Sequence, residues 1–141
     1  LDFSEEFDVV VCFETIEHVP QYREALAHLF RALKPGGVLL LSTPNRVMTS
    51  PSASRITDPI PNPYHSQEFL PSEMQGFLVE AGFPASGLSL FGQRQQRYFS
   101  WKVIRFLYKR YWDPDHRMSP DFEPLRPPLR PRDFLFVARK P

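Results

Sequence analysis

The chain has 141 residues, 42% hydrophobic and 14% aromatic, with 17 Lys and Arg against 16 Asp and Glu and a single cysteine. That composition allows one domain with a sizeable core, and the near-cancelling charge excludes a whole-chain basic field that would gather nucleic acid. Cys12 rules out an internal disulfide and suits a reducing compartment, read as the cytoplasm; no apolar run approaches the ~20 residues of a membrane span, and no secretory signal is recognisable.

The segment "FDVVVC", 7 to 12, is β-branched and continuously apolar, as expected of a strand covered on both faces. Because the chain opens with Leu1 and enters this strand six residues later, it is expected to be the second half of a larger unit. "QYREALAHLFRAL", 21 to 33, places Tyr22, Leu26, Leu29, Phe30 and Leu33 on one helical face. Pro20 suits its start, and "KPGG" at 34 to 37 its end. "VLLLST", 38 to 43, is a second buried strand, and strand, helix, strand with short links predicts a right-handed parallel crossover.

From 44 to 71 six prolines predict a long loop of the functional kind. "PSEMQGFLVEAGF", 71 to 83, reads as a helix with Ser72 as N-cap and Gly82 as stop. "SGLSLFGQ", 86 to 93, and "DFLFVARK", 133 to 140, read as strands, the latter alternating Phe134, Phe136 and Ala138 against Leu135, Val137 and Arg139. Between them, about 94–132, lies an insertion. Its aromatic and basic part, 98 to 112, is expected to be a helix with Lys102, Arg105 and Lys109 on one face; the proline-rich 113 to 132 is expected to be extended.

Four blocks in order, "FDVVVCFETIEHV", "LKPGGVLLLSTPN", "EFLPSEMQGFLVEAGF" and "DFLFVARKP", resemble the C-terminal half of class I S-adenosylmethionine-dependent methyltransferases. The resemblance implies an α/β fold, half of a doubly wound, mostly parallel seven-stranded sheet whose last strand runs antiparallel between its neighbours, with the chain a partial domain over 1–141. The family's glycine-rich cofactor turn has no counterpart among the six glycines. The chain alone is therefore expected to bind cofactor poorly and to be inactive, with function belonging to the whole enzyme.

Ligands of open α/β sheets sit beyond the carboxyl ends of the strands, where Cys12 to His18 lies. By the resemblance, Cys12, Phe13 and Glu14 flank the methionine part of S-adenosylmethionine, and Pro44 and Asn45 border the acceptor; Tyr64 is expected either to pack against an acceptor ring or only to cover the loop. Pro44 and Asn45 equally suit a turn that simply leaves the sheet. The spacing of Glu14, Glu17 and His18 lets one distorted helical turn gather their side chains. It resembles the metal site of small-RNA 2′-O-methyltransferases and some quinone-pathway O-methyltransferases, with His65 arriving from the next loop. Glu14, Glu17, His18 and His65 would then hold Mg²⁺ or Mn²⁺ and lower the pKa of an acceptor hydroxyl. Without metal, His18 or His65 can serve as general base, or the Glu–His pair can be purely structural.

The function expected is methyl transfer to an oxygen, with nitrogen as second choice, of a small molecule, lipid precursor or glycan. An RNA 3′-end 2′-O-methyltransferase is the alternative enzyme, disfavoured by the near-zero charge. A noncatalytic partial domain is the alternative outside enzymes. The segment 98 to 112 offers peripheral membrane contact as its second role, with nucleic acid last.

Overall fold

In a computed structural model the protein is described over residues 3–93, 122–125 and 131–141. The expected helix at 98 to 112 and His116 lie outside these residues. Strand β1 (Phe7–Phe13), helix α1 (Tyr22–Ala32) and strand β2 (Leu33–Pro44) form the expected crossover, β1 and β2 pairing in parallel. A short helix α2 (Arg46–Thr49) opens the long loop and α3 (Pro71–Ala81) closes it; strands β3 (Leu88–Gln93), β4 (Phe122–Pro124) and β5 (Asp133–Arg139) follow. The sheet order is β1-β2-β5-β3-β4, with β5 antiparallel to both β2 and β3. The last strand is thus inserted between its neighbours, as the resemblance implied. Strand β4 falls in a stretch expected to be extended only.

One face of this sheet carries the core. Val10 and Cys12 of β1 lie opposite Leu39 and Leu41 of β2, which in turn meet Ala138 and Phe136 of β5. Leu26 of α1 and Met74 and Leu78 of α3 pack onto that face with Phe69 and Phe83. Every second residue belongs here because strand side chains alternate between faces. The opposite face of β1 corrects the expectation of cover on both sides: Val9 and Val11 are each 55% exposed and Phe13 49%. Among the described residues both longer helices pack on the core face, so continuous apolarity in β1 does not mean double burial inside this chain.

Three boundaries also differ. Helix α1 ends at Ala32, and Leu33 already pairs with Phe7, so "KPGG" is a bulge within β2 and not a stop before it. Gly36 takes φ +77 there, a left-handed value that favours glycine. Helix α3 is capped at Leu70, with Pro71 in its first turn, where a missing N–H costs nothing. Glu73 accepts from the Leu70 backbone N at 2.9 Å, so Ser72 is inside the helix and not its cap. Gly82 does end it, at φ +120, pressed so close to the Phe30 ring that a Cβ would collide with it at 2.8 Å.

Candidate functional site

The chain leaves β1 through a sharp turn at Glu14, whose φ of +47 is unusual for a residue with a Cβ. Two bonds hold it there: Glu14 N donates to Ser42 O at 3.1 Å, and Ser42 Oγ donates to Glu14 Oε1 at 2.7 Å. The turn drops Ile16 into the core and starts a 3₁₀ turn over Ile16–His18. This distorted geometry lets adjacent Glu17 and His18 face one space, which a regular helix would not.

Glu17 is only 1% exposed, and Thr43 Oγ1 donates to its Oε2 at 3.0 Å. Its Oε1 lies 3.9 Å from His18 Nε2. The other nitrogen of His18, Nδ1, sits 2.7 Å from the Tyr64 carbonyl; a carbonyl only accepts, so Nδ1 is the donor there. His65 stacks edge-on against His18, ring centroids 4.9 Å apart, with its Nδ1 2.9 Å from Glu68 Oε1. Ligand atoms of Glu17, His18 and His65 all lie within 4.8 Å of one another. Three of the four expected ligands therefore converge.

Glu14 is the exception, since its carboxylate turns to Ser42. Burial first, and then the Glu17 charge, push its carboxyl above the ordinary range against the opposing Ser42 bond. Asp133, at the start of β5, is raised in the same way, by burial and then by Glu14. Cys12 is buried on the core face, and burial followed by the Glu17 charge raises its thiol to about 11. It is a packing residue there. Phe13, the last residue of β1, keeps a half-exposed ring.

Of the acceptor-side residues, Pro44 is buried opposite Asp133 and Asn45 is used structurally. The Asn45 amide donates to Pro131 O at 3.0 Å and accepts from Val47 N at 3.3 Å, capping α2. Tyr64 is 81% exposed, and its carbonyl bonds His18 Nδ1.

The residues that assemble the site were not legible as functional. Gln67 Nε2 donates to the carbonyls of Ile16 and Val19, each at 3.0 Å, and Ser66 N donates to Glu17 O at 2.8 Å, stitching the returning loop to the 3₁₀ turn. Arg46, wholly buried, donates from Nη1 to Glu68 O at 2.8 Å and from Nη2 to Glu73 Oε1 at 2.6 Å. Glu68 accepts from Thr49 Oγ1 at 2.5 Å as well as from His65. Burial alone would raise the Glu68 carboxyl, but donors from Thr49, Ser50 and His65 outweigh it and hold it below its usual range. The Ser50 oxygen adds to that field from outside strict hydrogen-bond geometry. The i, i+3 spacing in "HSQE" was the available signal for His65 and Glu68; for Arg46 there was none.

The cluster fits a divalent cation. Each imidazole has its Nδ1 engaged, by the Tyr64 carbonyl or by Glu68, which leaves Nε2 as the nitrogen for a ligand, and the Glu17 carboxylate is anchored through one oxygen. No helix of the described residues is long and apolar enough to cross a membrane.

Comparison with known proteins agrees with this architecture. The family model of a methyltransferase domain matches residues 1–88. A relative from Mycolicibacterium smegmatis, named a probable S-adenosylmethionine-dependent methyltransferase, is 43% identical over 76 residues, covering 54% of this chain and 28% of its own length. The ubiquinone biosynthesis O-methyltransferase of Pseudomonas putida (strain GB-1) is 34% identical over 88 residues, 57% of this chain and 38% of its own. The chain thus spans well under half of these relatives. A SAM-dependent methyltransferase structure from Thermotoga maritima superposes with TM-score 0.69 at 15% identity, covering 100% of this chain and 60% of its own. One from Mesorhizobium loti does so with TM-score 0.59, at 15% identity, 99% of this chain and 65% of its own. These likenesses concern the fold.

Proposed function

The chain belongs to the methyltransferase-domain family, and on that premise we propose that it supplies the acceptor side of an S-adenosylmethionine-dependent O-methyltransferase whose Glu17, His18 and His65 hold a divalent cation. The remaining strands of a seven-stranded sheet and the glycine-rich cofactor turn would come from outside the 141 residues. An oxygen acceptor is supported by the named function of the ubiquinone-pathway relative. A small molecule, lipid precursor or glycan is preferred over an RNA end because the net charge is only +1. Contact with a membrane surface through 98 to 112 would suit a lipid precursor.

The observation that carries this proposal is the convergence of one carboxylate and two imidazoles within 4.8 Å, with their outer atoms already bonded elsewhere. A cation bound there would lower the pKa of an acceptor hydroxyl and fix its oxygen in place. The chain's own part is positional. Phe13 and the Glu14 turn border the sulfonium end of the cofactor, and the loop from Tyr64 to Gln67 closes over the His pair. With S-adenosylmethionine bound, the hydroxyl would pass its proton to solvent, its oxygen would take the methyl group in line as the S–C bond breaks, and S-adenosylhomocysteine would leave. Without a cation the same His65, backed by Glu68, is placed to take that proton at Nε2.

The test is Mn²⁺ titration of the 141-residue chain, following loss of the free-ion electron paramagnetic resonance signal. One site displaced by excess Mg²⁺ is expected, weakened at least tenfold in His18→Ala and His65→Ala. No binding at millimolar Mn²⁺ would overturn the cation and leave the general-base role.

A further inference from the structure

We infer that Glu68 is a positioning residue for His65: its carboxylate holds the imidazole in the tautomer protonated at Nδ1, so that the Nε2 lone pair faces Glu17 and His18. This deepens the cation site proposed above and rests on it for its use, although the tautomer itself does not depend on any ion. An isolated neutral imidazole exchanges its proton between the two nitrogens, and only one of the two forms presents a lone pair to the cluster. Glu68 Oε1, 2.9 Å from Nδ1, selects that form because an ionised carboxylate accepts and cannot donate.

Glu68 is itself held at two further points, one on its carboxylate and one on its backbone. Thr49 Oγ1 donates to the other oxygen, Oε2, at 2.5 Å. Arg46 Nη1 donates to the backbone carbonyl of Glu68 at 2.8 Å, and the same guanidinium reaches Glu73 on α3. His65 and Glu68 are therefore fixed relative to α2 and α3 by bonds from the Arg46 and Thr49 side chains. The arrangement matches what orients a metal-binding histidine, a carboxylate on its remote nitrogen, where loss of the partner typically costs ~10–100-fold in metal affinity.

The experiment compares the wild-type chain, Glu68→Gln and Thr49→Val by two readouts at pH 8. Long-range ¹H–¹⁵N correlation of the histidine rings reports the His65 tautomer, and Mn²⁺ titration reports affinity. Wild type should show Nδ1–H on His65. Glu68→Gln, whose amide can donate as well as accept, should show a mixture or the Nε2–H form and bind Mn²⁺ ~10–100-fold more weakly. Thr49→Val, which weakens the support but leaves the Glu68–His65 bond, should keep the tautomer and bind within about threefold of wild type. A purely structural Glu68 would lower the melting temperature without changing the tautomer, and that result overturns the inference. So does Glu68→Gln that binds Mn²⁺ like a wild type that itself binds it. A wild type with the expected tautomer but no Mn²⁺ binding would remove the cation proposal and leave the positioning role standing.

Discussion

Strands β1 and β5 are both seven residues long and strongly apolar, yet they live in different surroundings. Strand β5 is bonded on both edges, to β2 and β3, and buries Phe134, Phe136 and Ala138 almost completely. Strand β1 is bonded on one edge, and its outer face carries Val9, Val11 and Phe13 half in solvent. An apolar strand states what it is suited to pack against; its place in the sheet decides how much of that is present. The sharpest way to break the comparison is Phe136→Ala. Removing a fully buried ring should cost ~3–5 kcal/mol in urea unfolding, or abolish folding outright. A loss below ~1 kcal/mol would mean that β5 is not the centre of the core.

The alternation in "DFLFVARK" made β5 legible because one face is deeply buried and the other less so. The same cue misled for β1: the outer-face positions Phe7, Val9, Val11 and Phe13 are all apolar, so its pattern cannot distinguish two covered faces from one. At the site, Glu17, His18 and His65 were legible as chemistry-bearing types at a strand mouth. Their supports were not. Thr43, Gln67 and Arg46 act through hydrogen bonds between residues 22 to 51 positions apart, and no local period records such a pairing. The Asn45 side chain caps α2 and the Tyr64 side chain is exposed, two structural facts that their residue types did not announce.

The two faces of β1 can be compared through Cys12, which lies on the covered one. With its thiol at about 11, roughly a thousandth is thiolate at pH 8. Alkylation by iodoacetamide should run roughly two orders of magnitude slower than for an ordinary thiol of pKa ~8.5, before any steric block. Labelling at the rate of a free thiol would place Cys12 in solvent and reverse the assignment of faces.

The two strands also meet electrostatically, Glu14 just after β1 and Asp133 at the start of β5. Both carboxyls are raised in the folded protein, so above their unfolded pKa values the folded state binds more protons than the unfolded one. By linkage, stability falls as pH rises through that window, from about 4 upward, and the deficit is complete above the folded values. Glu14→Gln should therefore flatten the decline in melting temperature between pH 4 and 7, and leave it unchanged near pH 3, where the wild-type carboxyl is already neutral. An unchanged decline would show that Glu14 is solvated.

The smallest effect is the most direct test of position against composition. Val11 and Val137 both lie on the outer face, aligned with Leu40 of β2 from opposite sides, but Val11 is on the open edge strand and Val137 on the central one. Exchanging valine for threonine keeps the shape and β-branching while replacing a methyl with a hydroxyl. Val137→Thr, partly buried, should cost ~1 kcal/mol, and Val11→Thr no more than ~0.5 kcal/mol, because the new hydroxyl stays hydrated. If Val11→Thr costs as much as Val137→Thr, something covers β1 in solution. Repeating the unfolding over a hundredfold range of protein concentration then identifies the cover, since a midpoint that rises with concentration requires a second copy against that face.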